Sequence, residues 1–379
     1  MKKLLAASLL MLPLMSGAQN YQLVWEDQFD EPALNETFWT IQVNGDGGGN
    51  NELQYYRREN ISIENHPTEN VSCLVLNAKR ENYLNKTCTS GRVVTQNKVS
   101  CRYGKIEARI HLPHTANGLW PAFWMMGEDI ATVGWPQCGE TDILEMGHAS
   151  GITNGTQDRL FNGACHWGPS WQNHPMYAKE TTWPTSIQEG FHLFTLVWTE
   201  TAIKMYLDQD KNPNVAPYYE MAITNTATLN DPGHYFHKPF HILLNLAVGG
   251  NFPGIWDINK VTALDANGTA AKMYIDYVRI YQQGTVNEVL NVPGQSNAIT
   301  PDAATSKKNV HLNPVIDHVM LDDFEQMDEV AIVSLKGEMV QKITPSTNRI
   351  DLTSLSAGLY LLRIAYKNHT NETHKLVKL

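Results

Sequence analysis

Short runs in which apolar and polar residues alternate recur along most of the chain. Gly104 to Leu112, Phe191 to Thr199 and Phe240 to Val248 are three of them. Turn signals separate the runs, among them Gly47-Gly48-Gly49, Asp231-Pro232-Gly233 and Gly249-Gly250. A period of two sends successive side chains to opposite faces of a strand. Few segments repeat apolar residues at the helical period. The pattern predicts an all-β sandwich spanning residues 19 to 284.

The pattern then breaks. Residues 285–309 are linker-like, with Pro293-Gly294-Gln295-Ser296-Asn297 and Thr300-Pro301-Asp302-Ala303-Ala304-Thr305-Ser306. Small polar residues of this kind cannot build a core. Residues 310–379 resume the strand pattern, in Val330-Ala331-Ile332-Val333, Arg349-Ile350-Asp351-Leu352 and Gly358-Leu359-Tyr360-Leu361-Leu362-Arg363-Ile364. This unit is too small to hold a second deep cleft easily. At the other end, residues 1–18 read as a signal peptide. Lys2 and Lys3 give a basic start, Leu4 to Met15 are apolar, and Ser16-Gly17-Ala18 are small. The run is too short to span a membrane, and no other segment of the mature chain qualifies.

One strand-like segment carries chemistry. Gly139-Glu140-Thr141-Asp142-Ile143-Leu144-Glu145 places three carboxylates among apolar residues. Burying a carboxylate costs several kcal/mol unless something compensates. Three at these offsets point to a reaction centre rather than to a solvated face. Alternation puts Glu140 and Asp142 on one face but sends Glu145 to the other. One extra residue near Ile143 and Leu144, a β-bulge, would return Glu145 to the first face. Carboxyl groups about 5–5.5 Å apart on either side of a sugar linkage perform retaining glycoside hydrolysis.

Charge and composition narrow the classes. The net charge of −10 becomes more negative once the signal is removed, which argues against nucleic acid. The 10 Trp and 15 Tyr suit sugar rings, whose flat C–H faces stack on aromatic planes. None of the 14 His shows a metal-ligand spacing. All five cysteines follow the signal: Cys73, Cys88, Cys101, Cys138 and Cys165. An odd count leaves one unpaired. Cys88 and Cys101 flank a candidate hairpin and are the expected bridge. Cys138 is expected to be a small buried residue beside the acids.

In ordered blocks the chain resembles glycoside hydrolase family 16, within it the laminarinase-like endo-β-1,3-glucanases. The blocks run from Leu23-Val24-Trp25-Glu26-Asp27 through Asn50-Asn51-Glu52-Leu53-Gln54-Tyr55-Tyr56 and Ser90-Gly91-Arg92. They continue through Tyr103-Gly104-Lys105-Ile106-Glu107, Gly118-Leu119-Trp120-Pro121-Ala122-Phe123-Trp124 and the acid motif. Leu244-Asn245-Leu246-Ala247-Val248-Gly249-Gly250 and Ile275-Asp276-Tyr277-Val278-Arg279-Ile280-Tyr281 close the match. Thr141 stands where Ile or Val is commoner. The resemblance implies a β-jelly-roll sandwich of two curved antiparallel sheets, the concave one forming an open cleft suited to endo cleavage. It implies Glu140 as nucleophile, Glu145 as general acid and then base, and Asp142 as the residue that hydrogen-bonds the nucleophile and helps split their pKa values. Trp120, Trp124 and Trp135 would line the cleft, core packing being the alternative. Asn51 and Arg92 would hydrogen-bond sugar hydroxyls, the alternatives being a turn residue and a surface ion pair. His166 would sit near the leaving-group side. No cofactor is expected for the chemical step, and a structural calcium at Asp276 is the one metal the resemblance suggests.

The tail is similar to the type IX secretion C-terminal sorting domain. Asn313-Pro314-Val315, Val333-Ser334-Leu335-Lys336-Gly337, Leu355-Ser356-Ala357-Gly358-Leu359-Tyr360 and the basic end Lys375-Leu376-Val377-Lys378-Leu379 carry this likeness. A carbohydrate-binding module is the competing reading, but the tail has no Trp. The implied partners are a β-glucan polysaccharide and the type IX machinery. The expected location is outside the cell or on the outer-membrane surface, and the expected state is a monomer. The implied activity is hydrolysis of β-1,3-glucan such as laminarin, with mixed β-1,3/1,4-glucan as a further substrate. A galactan such as agar, or glucan binding without catalysis, are the alternatives.

Overall fold

A computed structural model describes residues 21–293 and, in the C-terminal part, 310–311, 318–321, 324–334, 339–345, 347, 349–367 and 371–378. The signal peptide, most of the linker, Asn313–Val315 and Leu335–Gly337 lie outside the described residues. The chain divides into two units, residues 1–299 and 300–379.

The first unit is a jelly-roll sandwich of two antiparallel sheets. One sheet orders its strands Met176–Thr182, Leu160–His166, Glu140–Met146, Leu119–Gly127, Phe240–Val248, Arg92–Val94 and Thr40–Ile41. The opposing sheet runs Tyr219–Ala222, Ala202–Leu207, His192–Trp198, Gly104–His111, Ala271–Gln282, Ser72–Ala78 and Ile61–Asn65, with Gln22–Asp27 beside Ala271–Gln282. Alternation decides what each strand gives to each side. In Phe240–Val248, Phe240, Ile242, Leu244, Leu246 and Val248 enter the core between the sheets. His241, Leu243, Asn245 and Ala247 face the other way. Leu119–Gly127 does the same, with Leu119, Phe123 and Met125 inward. Each such Leu, Ile or Phe contributes about 1.5–3 kcal/mol by leaving water. The outer face of this sheet carries Trp120, Ala122 and Trp124, and it becomes the cleft.

Two expectations are corrected here. The first concerns Cys88 and Cys101, which are buried and free, as is every cysteine of the chain. Arg92–Val94 and Ser100–Arg102 do not form a hairpin with each other. They run one after the other along Phe240–Val248, Val94 opposite Leu243 and Cys101 opposite Phe240, with a loop between. The two sulfurs therefore never face across a turn. Burial pushes both thiols up to about 12, so they stay protonated and inert. The second concerns the segment read as linker from Thr285, which is folded at its start. Val289–Asn291 pairs with Ser100–Arg102 and joins the cleft-bearing sheet.

The second unit is a small β-domain with a sheet of Val310–His311, His318–Leu321 and Arg349–Asp351 and another of Met339–Ile343, Met327–Ser334, Gly358–Tyr366 and Asn371–Lys378. Val319, Leu321, Val330, Ile332, Leu352, Leu362 and Ile364 form its own core. No helix among the described residues is long and apolar enough to cross a membrane.

Candidate active site

The three acids share one face because the acid strand, Glu140–Met146, is bulged. Against Leu160–His166, Asp142 pairs with Ala164 and Glu145 with Asn162, so the acid strand uses one residue more than its neighbour. Against Leu119–Gly127, Trp124 pairs with Asp142 and Phe123 with Leu144, which leaves Ile143 unpaired. Ile143 and Leu144 both enter the core. Glu140, Asp142 and Glu145 line one cavity on the opposite face. The Tyr218 hydroxyl donates a hydrogen bond to the Ile143 carbonyl oxygen, so the bulged residue's acceptor is satisfied. Gly147 ends the strand with φ 101°, and a Cβ there would lie 2.0 Å from the Leu119 carbonyl oxygen. Only glycine fits that position.

Each outer acid is held by an indole. Trp135 Nε1 donates to Glu140 Oε2 at 2.8 Å, and Trp120 Nε1 donates to Glu145 Oε1 at 3.1 Å. Burial raises the pKa of all three carboxyls. The Trp135 bond and the Arg92 charge pull Glu140 back toward ionisation. At Glu145, the charge of Glu140 adds to burial, and only the Trp120 bond opposes. Asp142 is pushed well up by burial and by both neighbours. One ionised acid and protonated partners is the state this arrangement favours. Ligand atoms of Glu140, Asp142 and His166 lie within 4.8 Å of one another. His166 Nε2 is 3.5 Å from Asp142 Oδ2. Burial, with His174 nearby, pushes His166 down to about 4, so at neutral pH it is an uncharged ring and the contact is not an ion pair.

Arg92, Trp120 and Trp124 line the cavity. The Arg92 guanidinium lies 5.0 Å from the Trp124 ring centroid. Trp135 and His166 stand beside the acids through the contacts above. Asn51 differs. Its amide donates to Asn251 Oδ1 at 3.0 Å, and its neighbour Asn50 lines the cavity instead. Sequence reasoning also passed over Glu52 and Asn245, which line the same cavity. Glu52 is a fourth carboxyl at the cavity and is itself buried, accepting from Gln54 Nε2 at 2.5 Å and Tyr56 Oη at 3.0 Å. Its signal was its place inside the Asn50–Tyr56 block. Arg92 Nε, Asp142 Oδ2 and Asn162 Oδ1 are buried with no hydrogen-bond partner among the described residues. Such atoms are rare in folded chains, and here they suit a hydroxyl-rich ligand.

Residues 52–251 match the profile of the Glycosyl hydrolases family 16. The chain belongs to that family. Residues 309–379 match the secretion system C-terminal sorting domain, which marks this glycoside hydrolase for type IX secretion to the exterior or the cell surface. The family 16 chain is 33% identical over 276 residues to a beta-glucanase of Rhodothermus marinus, covering 70% of this chain and 86% of that protein. It is 34% identical to the clotting factor G alpha subunit of Tachypleus tridentatus over 72% of its length, yet spans only 36% of that longer protein. Among solved structures, a Bacteroides ovatus mixed-linkage-glucan family 16 protein bound to its G4G4G3G product superposes with a TM-score of 0.60. It is 39% identical, over 68% of this chain and 100% of that one. The laminarinase catalytic domain of Thermotoga petrophila gives 0.55 at 32% identity, over 70% and 99%.

The family resemblance suggested calcium at Asp276, and the residues present do not fit it. Arg109 Nη1 donates to Asp276 Oδ2 at 2.7 Å, and Arg109 Nη2 donates to Glu69 Oε2 at 2.6 Å. A guanidinium already neutralises the carboxylate where a cation would bind, and the two would repel.

Proposed function

We propose that this family 16 enzyme is a retaining endo-hydrolase of β-1,3-glucan, acting by double displacement through Glu140 and Glu145. The observation that carries the reading is the pair of outer carboxyls on one bulged strand, one beside a cation and one beside an anion. The ionised Glu140 oxygen attacks the anomeric carbon. The bond to the glycosidic oxygen breaks as Glu145 delivers its proton to that oxygen, so the leaving sugar departs neutral. A glycosyl ester on Glu140 results. Glu145, now a carboxylate, takes a proton from water, whose oxygen attacks the same carbon and releases Glu140. Two inversions restore the starting configuration. Asp142 keeps its proton, so the row never carries three charges at once. Trp120 and Trp124 offer apolar planes, while Arg92, Glu52 and Asn245 offer polar groups to ring hydroxyls.

Mixed-linkage glucan is the second reading, favoured by the product-bound Bacteroides ovatus neighbour. The test is digestion of laminarin, barley mixed-linkage glucan and agarose by wild type and Glu140→Ala, with product sizing. Short oligomers from laminarin by wild type alone support the proposal. Cleavage of barley glucan but not laminarin moves it to the second reading. Cleavage of agarose alone, or equal activity in the variant, overturns both.

A further inference from the structure

The cavity holding the acids extends to one side of them only. Its other walls include Gly48, Asn50, Glu52, Arg92, Trp124 and Asn245. A polymer cut in its middle must also rest on the opposite side, beyond Glu140 and His166. There the floor passes from Leu160–His166 to the edge strand Met176–Thr182, whose side chains are almost all exposed. Trp171 stands at that side. Its ring centroid is 4.9 Å from that of Trp135, the residue that binds Glu140, and it stacks on His174 at 5.6 Å. Trp171 is nevertheless 62% exposed, in a chain whose other described tryptophans, Trp256 excepted, are at least half buried.

The loop that presents this ring is fastened at several points. Ser170 and Asn173 bridge across the turn, with Asn173 N donating to the Ser170 carbonyl at 3.0 Å. Trp167 N donates to the Pro175 carbonyl at 3.1 Å, closing the loop at its base. Gln137 Nε2 donates to the Pro169 carbonyl at 2.6 Å, tying the loop to the segment that carries Trp135. Gly168 has φ 138°, and a Cβ there would lie 2.5 Å from the Asn173 carbonyl oxygen, so the approach is close by construction. The loop fixes the ring beside Trp135 and His174 while most of its surface stays in water.

We propose that Trp171 is a stacking platform for a pyranose ring on the His166 side of the acid row, and that it sets how much of the polymer must extend to that side for efficient cleavage. This rests on the glucanase reading. The ring supplies an apolar plane to sugar C–H groups, while Trp135 keeps its separate task at Glu140. Trp171 touches no reacting atom, so its contribution is to substrate affinity and not to bond breaking.

The test compares wild type, Trp171→Ala and Trp171→Phe on β-1,3-gluco-oligosaccharides of increasing length. A dinitrophenyl glycoside, which has no sugar beyond the scissile bond, serves as the control. Trp171→Ala is expected to raise KM about 10-fold on the longer oligosaccharides, a loss typical of one aromatic stacking contact. The expected kcat stays within about 2-fold, the control is unaffected, and Trp171→Phe restores most of the affinity. Unchanged KM overturns the proposal. An equal loss of kcat on every substrate, control included, also overturns it, because that is the signature of a prop for Trp135. Retardation in native gels cast with laminarin, barley glucan or agarose separates this failure from failure of the glucanase reading. Wild type retarded only by agarose sinks the glucan reading, and the platform then stands if Trp171→Ala is retarded less in that gel. Equal retardation of the two proteins in whichever gel binds wild type sinks the platform.

Discussion

The two ends of the acid strand carry the same side chain, the same burial and the same kind of hydrogen bond, yet they differ in charge environment. Glu140 has the Trp135 indole and the Arg92 cation. Glu145 has the Trp120 indole and the Glu140 anion. The bonds nearly match, so the difference in proton affinity comes from one positive charge on one side and one negative charge on the other. Hydrolysis with retention needs that asymmetry. A symmetric pair would share one proton without fixing which acid holds it, so the nucleophile and the proton donor would not be set apart.

The strongest way to break the comparison is to remove each acid. Glu140→Gln should lower kcat about 10⁴- to 10⁶-fold on every substrate, as expected when a nucleophile is lost. Glu145→Ala should lower it about 10²- to 10⁴-fold on polysaccharide, the usual worth of a general acid. It should lose far less on a dinitrophenyl glycoside, whose leaving group needs no proton, and azide should rescue turnover. Rates on the two substrate types, with and without azide, check this, and the same loss on both would reverse the assignment.

The indoles offer a finer cut. Activity requires Glu140 ionised, so rate falls as pH drops through its raised pKa. It also requires Glu145 protonated, so rate falls as pH rises through its own. Trp135→Phe should move the acid limb of the pH–rate profile upward by about one unit, the effect of losing a hydrogen bond to a charged group. Trp120→Phe should move the alkaline limb upward by about the same amount. Each variant shifting the other's limb would contradict the pairing.

The smallest effect is on stability. Folding raises the pKa of Asp142 and Glu145, so the folded state binds more protons than the unfolded chain between the ordinary carboxylate range and those raised values. Stability therefore falls as pH rises through that window. Glu145→Gln should melt higher than wild type at pH 8, by on the order of 1 kcal/mol, and show no such gain near pH 4. Thermal unfolding at the two pH values measures it.

Much of this was legible in the sequence because strand geometry is rigid. Spacings of two and three residues could share a face only with an extra residue between Asp142 and Glu145, and Ile143 is that residue. What keeps it there was not legible, since Tyr218 lies far along the chain. The Cys88–Cys101 expectation failed because alternation alone does not tell a hairpin from one interrupted strand running along a common neighbour. Asn50 and Glu52 line the cavity while Asn51 beside them turns left-handed, with φ 57°, and the sequence does not reveal which residues of that loop face inward. Val289–Asn291 escaped notice because three residues are too few to show a period. Trp171 and Trp135 look alike in sequence, and only the fold separates the indole that holds an acid from the one left in water.

The most direct test is to trap the intermediate. Wild type would be incubated with a 2-deoxy-2-fluoro β-glucosyl oligosaccharide carrying a dinitrophenyl leaving group, then digested and mapped by mass spectrometry. The account predicts one glycosyl adduct, on Glu140, that disappears in Glu140→Gln. An adduct on Glu145 or Asp142, or dinitrophenol release with no adduct on the strand at all, would contradict it.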